Sequence, residues 1–246
     1  MPFTFSHPAI ILPLTYLPKR LYSISGLIAG SIIPDFEYFL RMRVQSIYSH
    51  TWLGLFYFDI PLALLAIFIF HNIVRKKLID NLPFFLKKRF SVFNEMKWNN
   101  YFKKNFVVVI ISILIGAASH ILWDSFTHPQ GQFVEVIPLL NKNIKIVSIE
   151  IPIFKILQHL STILGGFIVL FAIWKMPKSK ASHASTTLKY WMMVMLITAL
   201  IILIKFFLTI KHINYPNLII SGITGFLIAI IIIPFLMSER IRTLSR

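Results

Sequence analysis

Five stretches of the chain are long and apolar enough to cross a bilayer core, which takes about 20 mostly apolar residues in helix. Residues 51–74 carry one charge, Asp59. Residues 105–123 carry none and end against Asp124. Residues 156–174 carry none, 190–210 carry only Lys205, and 217–237 carry none. A sixth stretch, 25–40, is shorter and holds Pro34, Asp35 and Glu37. It reads either as a span or as a half-buried helix packed against the others. No internal repeat or low-complexity tract interrupts the series. The pattern predicts an all-α fold, a polytopic transmembrane helical bundle of about five or six spans. It reads as one integral membrane domain over 1–246, with no separate soluble part.

Composition agrees. Hydrophobic residues make up 57% of the chain and charged residues 14%, against about 25% charged in a soluble globular protein. The excess of basic residues, 25 Lys and Arg against 9 acids, raises nucleic acid as a partner, and the placement of the charges argues against it. Lys and Arg number nine in 75–104, three in 127–155, four in 175–189, one near Lys211 and three after Met237. This alternation is what the positive-inside rule produces when the first, third and fifth groups are cytoplasmic. The reading is a multi-pass inner-membrane protein with the 75–104 loop and the C-terminus inside and 127–155 outside. The basic loop suits a helix lying on anionic lipid. There is no cysteine, so neither a disulfide nor a thiolate metal site is available.

Ionisable residues in or beside membrane helices are costly and are functional candidates by default. They gather in the run Ser119-His120-Ile121-Leu122-Trp123-Asp124-Ser125-Phe126-Thr127-His128-Pro129. His120 and Asp124 are four apart, on one helical face one turn from each other. An imidazole and a carboxylate so placed can grip one metal ion. His128 continues the series, and Pro129 should end the helix there. His50 opens the 51–74 span, Asp35 lies 15 residues before it, and His159 sits in the first turns of the 156–174 span. The topology inferred from Lys and Arg alone brings these groups to one depth near the outer face. A His/Asp set without cysteine suits zinc, manganese or iron. The plainer reading of His120 with Asp124 is a structural hydrogen bond between helices. Asp59 precedes Pro61 within a span and reads as structural.

At these residues the chain resembles a known group. The segments MPFTFSHP, GLIAGSIIPDFEYF, SHTWLG, FDIPL, SHILWDSFTH and LQHLSTILG look like an uncharacterised family of bacterial polytopic membrane proteins over most of the chain. That family is similar to inner-membrane metal-dependent hydrolases. More distantly it looks like zinc-dependent phospholipase C and single-strand nucleases of the same helical fold. The resemblance implies metal ligands in a fixed order. His7, Asp35 and His50 take the first places, His120 and Asp124 the central motif, and His128 follows it. His159 would open the last motif, although Ile163 stands where that motif has an acid.

The function implied is a metal-dependent hydrolase acting on a phosphoester or lipid, with a divalent metal, zinc by preference, held by His7, His50, His120, Asp124, His128 and His159. Asp35 serves as a ligand or as the general base. Membrane lipid is the expected partner and nucleic acid is not. The competing class is a transporter or proton pathway built on the same cluster.

Overall fold

The computed structural model describes residues 3–146, 149–179, 187–208 and 214–237. The tail arginines Arg240, Arg242 and Arg246, on which part of the expected topology rests, lie outside the described residues. Among the described residues, five helices are long and apolar enough to span a bilayer: Leu55–Asn81, Trp98–Asp124, Ile153–Lys175, Leu188–Leu208 and Tyr215–Leu236. They stand where the apolar runs placed them, and the protein is an all-α, multi-pass membrane protein. Their outward faces are unsuited to water. Ile163, Phe167 and Leu170 on one helix and Met192, Met195 and Leu196 on another are each more than 60% exposed. Stripes of that kind suit lipid tails.

The sixth stretch is not among these five. It breaks into a helix at Ile24–Ile32, a 3-10 turn at Ile33–Asp35 and a short helix at Phe36–Arg41. The three pieces follow one another without a gap over 24–41 and carry Asp35, Glu37 and Arg41. Most residues of the stretch are buried, as a helix packed against the others requires. Ser23 caps its start by accepting from the Gly26 amide. The Phe36–Arg41 helix ends with the Arg43 amide donating to the Tyr38 carbonyl and Met42 at φ 50°. That is a left-handed C-terminal cap made without glycine.

Contacts divide the chain into two compact units. The first holds Met1–Asp35, Ile47–Leu64 and Phe102–Lys175. Its organising seam joins Ile24–Ile32 to the Trp98–Asp124 helix through glycines. A β-carbon on Gly30 would lie 2.2 Å from the Ile113 carbonyl oxygen, and one on Gly116 would lie 2.5 Å from that of Leu27. Only the absence of a side chain lets the two backbones approach this closely, as in small-xxx-small contacts within membranes. The Ser23 amide donates to the Ser112 hydroxyl at 2.8 Å across the same seam. The N-terminal segment packs on Ile153–Lys175: the Phe3 amide donates to Thr162 Oγ1 at 3.0 Å, and Ser6 Oγ donates to the Thr162 carbonyl at 2.9 Å. Beyond the Trp98–Asp124 helix, an antiparallel hairpin pairs Asn143–Ile146 with Ile149–Pro152. The sequence reading contained no strand.

The second unit holds Phe36–Ser46, Leu65–Tyr101 and Met176–Arg246. Val74, Tyr190, Val194, Ala229, Ile230 and Ile233 form its buried core. Thr224 Oγ1 donates to the Phe39 carbonyl at 2.8 Å. The long helix from Leu55 widens to π geometry twice, at Leu55–Asp59 and at Phe70–Val74.

Candidate metal centre

The site lies in the first unit and draws on four separate segments. His7 follows a 3-10 turn at Thr4–Ser6, and Asp35 ends the turn after Ile24–Ile32. His50 sits in a tight turn, where Thr51 Oγ1 donates to the Tyr48 carbonyl at 2.8 Å and accepts from the Gly54 amide at 2.9 Å. Gly54 is required there, because a β-carbon would stand 1.9 Å from the Tyr48 carbonyl oxygen. His120 and Asp124 come from the last turns of Trp98–Asp124.

One ligand atom each from Asp35, His50, His120 and Asp124 lies within 4.8 Å of all the others. The four His-to-Asp separations are nearly equal. His50 Nε2 is 3.6 Å from Asp35 Oδ1 and 3.6 Å from Asp124 Oδ2. His120 Nε2 is 3.6 Å from Asp35 Oδ1 and 3.4 Å from Asp124 Oδ2. These distances exceed those of hydrogen bonds. Two ligand atoms about 2.1 Å from a shared tetrahedral ion stand about 3.4 Å apart. The residues present therefore fit a cation better than they fit one another.

The hydrogen bonding points the same way. His120 Nδ1 lies 2.7 Å from the Ser31 carbonyl. A carbonyl only accepts, so Nδ1 carries a proton there, and Nε2 is the ring atom turned toward the two carboxylates. His120 Nε2, Asp35 Oδ1 and both Asp124 oxygens are buried without a hydrogen-bond partner. Buried polar atoms left in that state are costly. Around them stand the supports usual for metal ligands. Thr4 Oγ1 donates to Asp35 Oδ2 at 2.5 Å, and Ser49 Oγ lies 3.1 Å from His50 Nδ1. Thr4, Ser31 and Ser49, all buried, contact the cluster and were missed by the sequence reading. Each lies within four residues of a ligand in sequence or contacts one, and no spacing rule singles them out.

Two further histidines meet the other oxygen of Asp124. His7 Nε2 lies 3.5 Å and His128 Nδ1 3.6 Å from Asp124 Oδ1. The His7 ring stacks on His120 with centroids 3.7 Å apart. Burial, with the neighbouring His120 adding to it, pushes His7 down to about 3, so it is neutral at physiological pH. Burial lowers His50 too, but the Asp124 and Asp35 carboxylates more than offset this and raise it. Burial likewise works against ionised Asp35, and His120 and His50 outweigh it and hold the carboxyl below its usual range. His128 Nδ1 is 3.0 Å from the Asp124 carbonyl, which leaves Nε2 for other use.

His159 corrects the expectation. Its side chain is exposed, and among the described residues it takes no part in the cluster. Gln158, Thr162 and Gly165 share the face that meets the N-terminal segment, and His159 is turned roughly 100° from Gln158. Similar depth did not mean similar direction.

The cluster is closed on most sides. The side chains of His7, Asp35 and His120 are 0% exposed and that of Asp124 is 6%. His50 and His128, at 21% and 23%, form its accessible edge. Tyr48, Trp52, Leu53, Phe56 and Tyr57, all exposed, surround His50 in sequence.

Fold and site together define a multi-pass membrane protein carrying a buried His/Asp group able to hold a metal ion. The chain belongs to the family described as domain of unknown function DUF4184, which matches residues 1–235. No curated protein and no solved structure matches the chain.

Proposed function

We propose that this cluster binds a divalent cation, zinc by the chemistry of its donors, and hydrolyses a phosphoester of membrane lipid. The observation that carries the reading is the set of four His-to-Asp separations between 3.4 and 3.6 Å. Those spacings suit ligands of one ion. Asp35, His50, His120 and Asp124 hold it, and the two carboxylates match its charge. A divalent ion there would polarise a phosphoryl oxygen and lower the pKa of a bound water to near 7.

The chain's own groups do the rest. The seam at Gly30 and Gly116 fixes Ser31, which orients His120. Thr4 holds one oxygen of Asp35, so that the other faces the centre. His50 and His128 border the open edge, where a substrate enters. His7 and His128, with the second Asp124 oxygen, offer a further position for a cation or for a proton. The exposed Trp52, Tyr48 and Tyr57 beside His50 are residue types that gather at headgroup depth, which supports a lipid as substrate. Similarity of the ordered ligands to phospholipase C supports a phosphoester. The basic-loop count supports a centre near the extracytoplasmic face with the C-terminus inside.

Elemental analysis of purified protein tests the metal. Stoichiometric zinc in the wild type and loss of it in His120→Ala are expected. Metal-free protein supporting pH-dependent flux in liposomes would replace the hydrolase with a transporter or proton pathway. Labelling of single cysteines in intact cells tests the sidedness. Asn141→Cys should react from outside and Lys88→Cys should not.

A further inference from the structure

Residues 82–97 lie between two membrane helices, Leu55–Asn81 and Trp98–Asp124, and so at a bilayer surface. They fold rather than loop: a helix runs over Phe84–Phe90 and a 3-10 turn over Ser91–Glu95. One side of this segment is pinned. Lys87 Nζ donates to the Asp80 carbonyl at 2.8 Å, and Arg89 donates to the Phe85 carbonyl at 3.0 Å. The Ser179 amide donates to the Lys88 carbonyl at 2.8 Å, and Trp191 Nε1 donates to the Asn81 carbonyl at 2.8 Å. Lys87 and Arg89 are both buried.

The other side carries an apolar stripe. Phe85, in the helix, is 50% exposed and Val92, in the 3-10 turn that follows it, 54%, with Lys88 between them in sequence. Lys88 Nζ sits 4.1 Å from the Phe84 ring centroid. Around the stripe, Lys76 extends with a side chain 75% exposed, and Lys97 is exposed. Residues 75–97 hold seven Lys and Arg against two acids, and Asp80 is already engaged by Lys76 and by Asn94 Nδ2.

We propose that the Phe85–Lys88–Val92 face docks into the headgroup layer of an anionic leaflet, with Phe85 and Val92 entering the acyl boundary and Lys76, Lys88 and Lys97 meeting lipid phosphates. An apolar edge rimmed by cations, set at a bilayer surface, matches a negatively charged interface in both of its parts. The buried Lys87 is held by the Asp80 carbonyl, and the buried Arg89 lies over the Phe85 ring, 3.9 Å from its centroid. The inference stands apart from the metal centre.

The test uses the full chain, in which an introduced cysteine is unique. Phe85→Cys and, separately, Val92→Cys carry an environment-sensitive fluorophore in bilayers of phosphatidylcholine alone or mixed with phosphatidylglycerol. Expected are blue-shifted emission and quenching by shallow spin-labelled lipid in the anionic mixture. Each of Lys76→Gln, Lys88→Gln and Lys97→Gln should lower the docked-to-free ratio roughly fivefold, the equivalent of about 1 kcal/mol per cation. Labels at both positions open to aqueous iodide in both bilayers would overturn the docking. Equal protection with and without phosphatidylglycerol would overturn the role of charge.

Discussion

Replacing Asp124 with asparagine separates a metal centre from a self-sufficient ion-pair network, because the two readings give opposite results once metal is removed. Asp124 is the hub of the cluster: its oxygens lie 3.4–3.6 Å from His7, His50, His120 and His128. If a cation belongs there, Asp124→Asn keeps the shape and removes half of the carboxylate charge facing it. Wild-type protein at a free metal concentration 100 times Kd should gain about 2.7 kcal/mol. For a chain of this size that is about 5–11 °C in Tm. The variant should lose most of this gain. In chelator the variant should melt within about 1 kcal/mol of wild type, since it relieves repulsion between Asp124 and Asp35. If instead the histidines are permanently protonated partners, Asp124→Asn strands buried charge and costs about 3–5 kcal/mol with or without metal. Tryptophan fluorescence during thermal unfolding in detergent, with chelator or zinc, reads both quantities. A wild-type Tm indifferent to zinc, with a variant equally destabilised in both buffers, would refute the metal reading.

Other outcomes follow from single contacts. Gly30→Ala puts a methyl 2.2 Å from the Ile113 carbonyl, so it should cost about 1–3 kcal/mol and also weaken zinc binding by displacing Ser31; Tm and metal stoichiometry measure the two effects. Thr4→Val should lower zinc affinity about tenfold while far-UV dichroism stays unchanged, as read by competition with a chromophoric chelator. Met42→Gly should raise the unfolding free energy by about 1 kcal/mol, because the residue sits at φ 50°, where a side chain is penalised. His159→Ala should leave zinc content as in wild type, and a loss of metal there would return that residue to the site.

The membrane helices were legible because an apolar run of span length admits few alternatives, and the His120–Asp124 pair because i,i+4 spacing fixes both depth and face. Asp35 and His50 were legible through company rather than pattern. His159 was misread: position along a span gives depth at 1.5 Å per residue, while the side a residue faces depends on what its helix packs against. That was decided by Gly165 and Thr162. The hairpin was missed although Ile144, Ile146, Ile149 and Ile151 alternate around it, because a search for spans passes over strands of 4 residues. The close approach is written in the sequence as small residues at spacing four on both sides, Gly26 and Gly30 on one and Ser112 and Gly116 on the other. Their pairing is set by tertiary packing.

The contact between Ser31 and His120 spans 89 positions, and this orders events at the ribosome. At roughly 5–20 residues per second, the segment bearing Asp35 waits about 4–18 s for its counterpart to be synthesised. The glycine seam cannot close until the Trp98–Asp124 helix has entered the bilayer. Through that interval Asp35 is without His120, which later stands 3.6 Å from it. Assembly of the centre is thus a late step of biogenesis, and the chain emerges with its earliest ligands waiting for its later ones.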